Sequence, residues 1–111
     1  MYQILTTAAD SEIAHLLINP KFSPGQVVAT PAALEAMETH QCSPLSLLAR
    51  HLSGQDWGEL DASDAKANDD ALQWGGRLLS SYLIGPGTKV WLITDQCESG
   101  NVTTYLLPAD Y

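Results

Sequence analysis

The sequence predicts an α+β fold in which N-terminal helices pack on one face of a small antiparallel β-meander. The first half of the chain contains two Ser/Thr-Pro dipeptides, Thr30-Pro31 and Ser43-Pro44, which are typical helix starts. The second half closes with three runs of strand-forming residues separated by turns. Helices followed by consecutive strands indicate an α+β arrangement. With 111 residues and no repeat, linker or low-complexity tract, the chain is expected to form a single domain, 1–111.

The first predicted elements lie before residue 30. Asp10 can cap a short helix that stops before Pro20 and places three apolar side chains on one face, namely Ile13, Leu16 and Leu17. Turn residues at 22–25 then lead into a short strand at 26–29.

The next two helices begin at the Ser/Thr-Pro dipeptides. The helix after Thr30-Pro31 fades near His40-Gln41. The helix after Ser43-Pro44 ends at about Ser53-Gly54 and carries an amphipathic stripe at i, i+3, i+4 and i+7, formed by Leu45, Leu48, Ala49 and Leu52.

A fourth helix and three strands complete the predicted fold. Ser63 is expected to cap the helix, and Gly75-Gly76 is expected to end it, because glycine readily takes a left-handed backbone conformation. The strands are predicted at 77–84, 89–94 and 101–107. A hairpin turn joins the first two strands, and a longer polar loop joins the last two.

The charge balance is the clearest compositional signal. Five Lys and Arg side chains stand against thirteen Asp and Glu side chains, which gives a formal net charge of −8. This balance opposes direct binding to nucleic acid, since affinity for a phosphate backbone comes mainly from Lys and Arg. It suits an acidic protein that occupies the basic groove of a protein partner.

Other sequence features exclude several classes of protein. No apolar run approaches the roughly 18 to 20 residues that a membrane span needs, and residues 1–5 lack the basic region of a signal peptide. We therefore expect a cytoplasmic protein with no membrane partner. Cys42 and Cys97 are expected to be free thiols. The chain has no zinc spacing, phosphate-binding glycine loop or nucleophile elbow, so no metal, cofactor or catalytic motif is predicted.

An acidic stretch around Trp57 is the predicted partner-binding surface. The candidate residues are Asp56, Trp57, Glu59, Asp61, Asp69 and Asp70. The alternative interpretation is a solvated helix face whose N-terminal acids suit the helix dipole. Trp57 is either a packing anchor or, if it is exposed in its glycine-flanked loop, a binding hot spot.

A second set of polar residues forms an alternative site. Its members are Arg50, His51, Asn68, Arg77, Thr103 and Thr104. His51 could act as an acid or base, or as a cation at a helix C-terminus. Asn68 falls on the apolar stripe of its helix, where a buried amide most often ties down a backbone segment. Thr103 and Thr104 face opposite sides of one strand, so only one of them can belong to a given site.

Several segments together resemble a family of small uncharacterised bacterial proteins that are described as plasmid-related or mobile-element proteins. The resemblance covers residues 22–111. It rests on Gly25-Gln26-Val27-Val28-Ala29-Thr30-Pro31, Ala33-Leu34-Glu35-Ala36, Leu48-Ala49-Arg50-His51, Asp56-Trp57-Gly58, Asn68, Ala71-Leu72, Gly76-Arg77-Leu78-Leu79-Ser80, Val90-Trp91-Leu92-Ile93-Thr94-Asp95 and Thr103-Thr104-Tyr105-Leu106-Leu107-Pro108-Ala109-Asp110-Tyr111.

The resemblance implies a bacterial mobile element, on a plasmid or phage, but no activity. Two polar loops depart from the family pattern. Gln55 separates Gly54 from Asp56, and the loop at 95–102 is longer and lacks an arginine. Displacing a catalytic atom or removing a charge clamp would impair an enzyme, so these departures favour a binding protein.

Three functions are compatible with the sequence. The leading hypothesis is a stoichiometric inhibitor of a host defence complex, of the anti-CRISPR or antirestriction type. The second is a small ribonuclease-like toxin that uses His51, Arg77 and Thr103 or Thr104. The third is a structural or interaction domain of a plasmid operon, dimeric through an exposed strand edge.

Overall fold

The computed structural model describes residues 3–6 and 20–111, and the helix predicted after Asp10 lies outside them. Within these residues three helices and five strands form one α+β unit, which confirms the predicted fold class. The elements are β1 (Gln3–Thr6), β2 (Gln26–Ala29), α1 (Pro31–Thr39), α2 (Pro44–Leu52), α3 (Ala62–Trp74), β3 (Arg77–Gly85), β4 (Thr88–Asp95), β5 (Val102–Leu106) and a final 3-10 turn (Pro108–Asp110).

The predicted meander is present, but it is only part of the sheet. The strands lie in the order β1-β2-β5-β4-β3. β3, β4 and β5 pair antiparallel as predicted, whereas β2 pairs parallel with β5 and antiparallel with β1. The sheet is therefore mixed. The parallel pair joins segments far apart in sequence, and a parallel pair always needs such a long connection.

Local capping signals explain the helix starts. Thr30 caps α1, and its Oγ1 accepts a hydrogen bond from the Ala33 amide at 3.1 Å. The cap of α3 is Asp61 and not Ser63, because the Asp61 carboxylate reaches the Asp64 amide at 2.8 Å. Ser63 consequently lies one residue inside the helix.

The C-terminal turn is fastened to the first of these caps. Asp110 accepts hydrogen bonds from Thr30 Oγ1 at 2.7 Å and from the Leu107 amide at 3.0 Å. These two hydrogen bonds lower the pKa of the Asp110 carboxyl. The end of the chain therefore stabilises the start of α1.

We expect Thr30→Ala to lower the free energy of unfolding by about 1 to 2 kcal/mol, because it removes the cap and the bond to Asp110. Urea unfolding will measure the loss. Ser43→Ala is the matched control, since Ser43 caps α2 without a side-chain hydrogen bond to the helix. An equal loss in the two variants would contradict this account of the cap.

The main core lies between one face of the sheet and helices α1 and α2. Its buried members are Val27, Ala29, Ala33, Met37, Leu47, Leu48, Leu52, Tyr82, Val90, Leu92 and Tyr105. The predicted stripe of α2 is partly confirmed: Leu48 and Leu52 are buried, but Leu45 is 48% exposed and Leu47 is buried instead. A smaller cluster of Trp57, Ala71 and Leu78 holds α3 against β3.

In the part of the chain that the structure describes, no helix is long and apolar enough to cross a membrane.

Candidate functional site

A buried chain of hydrogen bonds runs through the centre of the molecule. His51 Nδ1 lies 2.6 Å from Ser80 Oγ, and His51 Nε2 lies 2.9 Å from Thr94 Oγ1. Thr94 Oγ1 lies 2.7 Å from Thr103 Oγ1, which donates to the Pro24 carbonyl oxygen at 2.8 Å. Helix α2 and strands β3, β4 and β5 therefore share one polar network beneath the main core. The alternating registry of the strands places Ser80, Thr94 and Thr103 on the same face of the sheet.

The carbonyl at one end fixes the direction of every proton in this network. The Pro24 carbonyl oxygen can only accept a hydrogen bond, so Thr103 donates its one hydroxyl proton to it. Thr103 must then accept a hydrogen bond from the Thr94 hydroxyl. Thr94 in turn accepts from His51 Nε2–H. His51 Nδ1 is then left without a proton and accepts from the Ser80 hydroxyl. One neutral tautomer, protonated on Nε2, satisfies all of these contacts.

Burial rules out acid–base chemistry by His51 in this conformation. His51, Ser80, Thr94 and Thr103 are each 0% exposed, so no substrate reaches them in this conformation. Burial also lowers the pKa of His51 from 6.5 to about 3, because the interior disfavours the charged imidazolium. The His51–Ser80 pair has the geometry of a base beside a nucleophile, but both side chains are buried in this fold and tie α2 to β3.

Arg50 lies on the outer side of the same helix and holds the following loop. Its guanidinium donates to the Asp56 carboxylate at 2.6 and 3.2 Å and lies 4.3 Å from the centre of the Tyr82 ring. The Tyr82 hydroxyl donates to the Asp56 carbonyl oxygen at 2.7 Å. The hydrogen bond from Arg50 is the main reason that the pKa of Asp56 is lowered. Asp56 is thus engaged within the protein.

Trp57 is the packing anchor of this loop. It is 9% exposed, it stacks on Phe22 with ring centres 6.4 Å apart, and its ring centre lies 5.8 Å from that of His51 in an edge-on contact. Little of the indole is left for a partner. The interpretation of Trp57 as an exposed hot spot therefore does not fit the fold.

Gly58 allows the loop to join the edge of the sheet. The Ser81 amide donates to the Trp57 carbonyl at 2.9 Å, and the Glu59 amide donates to the Ser81 carbonyl at 2.7 Å. Gly58 has a φ of 75°, and a Cβ at this position would overlap the Ser81 carbonyl oxygen. The loop acts as a short strand beside β3.

Asn68 covers the next position along the same edge. Its Nδ2 donates to the Leu79 carbonyl at 2.6 Å, and its Oδ1 accepts from the Leu79 amide at 2.9 Å. The side chain, 2% exposed, thus replaces the hydrogen bonds of a missing neighbouring strand. At Leu79 and Ser81 the β3 edge is not open to pairing with a second copy.

Two further members of the alternative polar site lie elsewhere. Arg77 donates to Asp95 at 2.9 Å and to the Tyr111 hydroxyl at 2.8 Å. These hydrogen bonds, with the one to Asp95 the stronger, raise the pKa of Arg77. Thr104 points away from Thr103, to the opposite face of the sheet. The structure therefore joins only His51 and Thr103 of the predicted set, and it joins them through Thr94.

The acidic candidates are on the surface but are unequally available. Asp56 is engaged by Arg50, Glu59 pairs with Lys89 at 3.2 Å, and Asp61 caps α3. Asp69 and Asp70 are exposed on α3. Asp70 pairs with Lys66 at 3.4 Å, but both side chains are more than half exposed, so this pair contributes little. Within the described residues, Asp69 and Asp70 are therefore the acids of the set least committed to other contacts.

Sequence reasoning missed Thr94 and Trp74. Thr94 had no signal of its own, because its role depends on the register between β4 and its two neighbours. Trp74 did have one: on a helical wheel it lies about 120° from Asn68, which is buried, and so falls outside the buried stripe. The structure leaves Trp74 79% exposed at the last position of α3.

The described residues offer no site for a metal ion. Within residues 3–6 and 20–111 no group of three His, Cys, Asp or Glu side chains could hold one. Cys42 and Cys97 are free, as predicted.

Comparisons with models of protein families, with curated proteins and with solved structures find no match for this chain. The resemblance to plasmid-related proteins and the mobile-element context that it implies therefore stay predictions.

Proposed function

We propose that this protein is an acidic binding protein that acts by occupying the basic surface of a protein partner. The observation that carries the proposal is a contrast between its polar groups. The residues suited to catalysis, His51, Ser80 and Thr103, are buried in one hydrogen-bonded network, in which Thr94 links His51 to Thr103. The accessible charges are mainly acidic, and the net charge is −8.

The proposed action is stoichiometric inhibition of a nucleic-acid-binding defence complex. Proteins that bind nucleic acid present clusters of Lys and Arg. An acidic protein can cover such a cluster and exclude the nucleic acid through complementary charge. A host complex of the CRISPR or restriction type is the proposed target, and this choice of target rests on the resemblance to mobile-element proteins.

The target is tested by titrating the protein into purified, guide-loaded CRISPR effectors and restriction endonucleases while DNA cleavage is followed. We expect one complex to lose cleavage at about one protein per complex, with weaker inhibition at higher salt. Inhibition only at large molar excess, or inhibition of none of the complexes, would contradict the proposal.

Charge reversal on α3 tests the surface. We expect Asp69→Lys combined with Asp70→Lys to weaken inhibition at least tenfold, because like charges then face each other across the contact. Glu35→Lys combined with Glu38→Lys is the matched control, since it changes the net charge equally at exposed positions of α1. Circular dichroism and thermal unfolding will show that both variants fold. An equal loss in both would mean that net charge alone acts and that α3 has no special role.

A further inference from the structure

Trp74 is the most exposed of the large apolar side chains that the structure describes at the surface. It is 79% exposed, compared with 73% for Tyr111, 50% for Leu83 and 48% for Leu45. Unlike Tyr111, which packs edge-on against Trp91 and accepts a hydrogen bond from Arg77, Trp74 makes no ring contact within the described residues. Exposing a tryptophan in this way forgoes the burial energy of a large side chain.

The helix positions nearest to Trp74 on its exposed side carry small or short side chains. The residues seven and four positions earlier on the same side of α3 are Ala67 and Asp70. All three are exposed. The two buried residues of the helix lie away from this row to different degrees: Asn68 is about 120° around the helix from Trp74, and Ala71 is about 60° away, at the inner flank. Among the described residues this outer side of α3 is exposed, and its one large side chain is the indole.

The electrostatics at this end of α3 favour a cation. Asp70 lies one helical turn before Trp74, and the last turn of the helix contains no basic residue. The partial negative charge at the C-terminus of the helix is therefore not offset by a side chain of the helix itself. The weak, exposed Lys66–Asp70 pair leaves the Asp70 carboxylate open to exchange with a stronger partner.

We infer that the outer side of α3, comprising Ala67, Asp70 and Trp74, docks an arginine side chain on the basic surface of a protein partner. A guanidinium stacks on an indole face while it donates to a neighbouring carboxylate, which a compact ammonium group does less well. The two small or short side chains before Trp74 leave room for the partner's backbone. This inference rests on the proposed function and assigns its contact surface to one helix.

An arginine peptide tests the surface without any knowledge of the natural partner. Nona-arginine will be titrated into the ¹⁵N-labelled protein, and the indole N–H signals of Trp57, Trp74 and Trp91 will be followed by NMR. We expect the Trp74 signal and the amides of the last turns of α3 to shift and saturate. Nona-lysine should bind several-fold more weakly, because it lacks the planar guanidinium.

Variants distinguish the contribution of the Trp74 indole to nona-arginine binding from the contribution of the protein's net charge. We expect Trp74→Ala to weaken nona-arginine binding about tenfold, and thermal unfolding will confirm that this surface variant folds. The Asp69→Lys, Asp70→Lys protein should lose at least fivefold more affinity than the charge-matched Glu35→Lys, Glu38→Lys protein. Two results would overturn the inference: nona-arginine binding without a change in the chemical shift of the Trp74 indole N–H, or an equal loss of affinity in the two charge variants.

The same variants distinguish this inference from the proposed function. If nona-arginine docks at Trp74 but no defence complex is inhibited, the surface stands and the proposed target fails. If inhibition occurs and Trp74→Ala inhibits as well as the unaltered protein, the proposed function stands and the assignment to α3 fails.

Discussion

Acidification from pH 7 to pH 4.5 is expected to lower the free energy of unfolding by about 2.5 kcal/mol through His51 alone. The native state holds His51 neutral, with its pKa lowered from 6.5 to about 3 by burial. The unfolded chain takes up a proton as the pH falls through about 6.5, whereas the native state does so only near pH 3. Stability therefore declines throughout this window, and below about pH 6 the slope approaches about 1.4 kcal/mol per pH unit.

Urea unfolding at several pH values between 7 and 4.5 will measure this slope. His51→Gln removes the titrating group while it keeps a side chain that can both donate and accept. We expect this variant to be less stable at pH 7 and to lose about 2.5 kcal/mol less than the unaltered protein on acidification. His40→Gln is the control, because His40 lies outside the buried network, and the variant should retain the slope that His51 causes.

The carboxylates change the free energy of unfolding at lower pH, so they do not produce the slope assigned to His51. The pKa values of Asp56 and Asp110 are lowered by their hydrogen bonds. The stability that they add is present above their ordinary pKa of 3.8 and is lost only as the pH falls further. A slope that persists unchanged in His51→Gln between pH 6.5 and 5 would therefore refute the role assigned to His51.

The proton on Nε2 gives a second check that does not depend on the variant. Two-bond ¹H–¹⁵N correlation at pH 7 should show a neutral His51 ring with its proton on Nε2. A proton on Nδ1 would contradict the direction of hydrogen bonding that starts at the Pro24 carbonyl.

The sequence predicted those parts of the fold that depend on local chemistry. The caps at Thr30 and the glycine pair at 75–76 mark helix ends because each acts on backbone groups only a few residues away. The strand alternation likewise separates Thr103 from Thr104 correctly. The parallel pairing of β2 with β5 joins residue 26 to residue 102, and no local pattern specifies such a pair.

The candidate site was harder to predict, because its residues depend on burial. His51 lies three residues after Leu48, a spacing that places it beside this leucine on α2, although the predicted stripe did not include it. What the sequence could not show is that Ser80 and Thr94 approach it from two strands. Conversely, the acidic stretch suggested one binding surface, but several of its residues have other roles in the fold. Trp57 is buried, Asp61 caps α3, and Asp56 and Glu59 form ion pairs. The acids of this stretch that are least committed to other contacts in the described residues are Asp69 and Asp70 on α3.

Asn68→Ala is expected to lower the free energy of unfolding by about 2 to 4 kcal/mol. The substitution removes both hydrogen bonds to Leu79 and leaves that amide and carbonyl beneath α3 without their partners. Leaving a buried backbone group unsatisfied costs more than an average hydrogen bond contributes. For a domain of this size we expect the melting temperature to fall by about 10 °C.

Gln73→Ala is the matched control, because it removes an amide from an exposed position of the same helix. It should change the free energy of unfolding by less than about 0.5 kcal/mol.

Asn68→Asp separates the two hydrogen bonds, since its carboxylate accepts a hydrogen bond from the Leu79 amide but cannot donate one to the Leu79 carbonyl. It also places a charge at a position that is 2% exposed, so it should be at least as destabilising as alanine at pH 7 and recover partly in mild acid. Hydrogen exchange at the Leu79 amide should accelerate in Asn68→Ala and remain slow in Gln73→Ala. A Leu79 amide that stays protected in Asn68→Ala would show that α3 covers the β3 edge without help from this side chain.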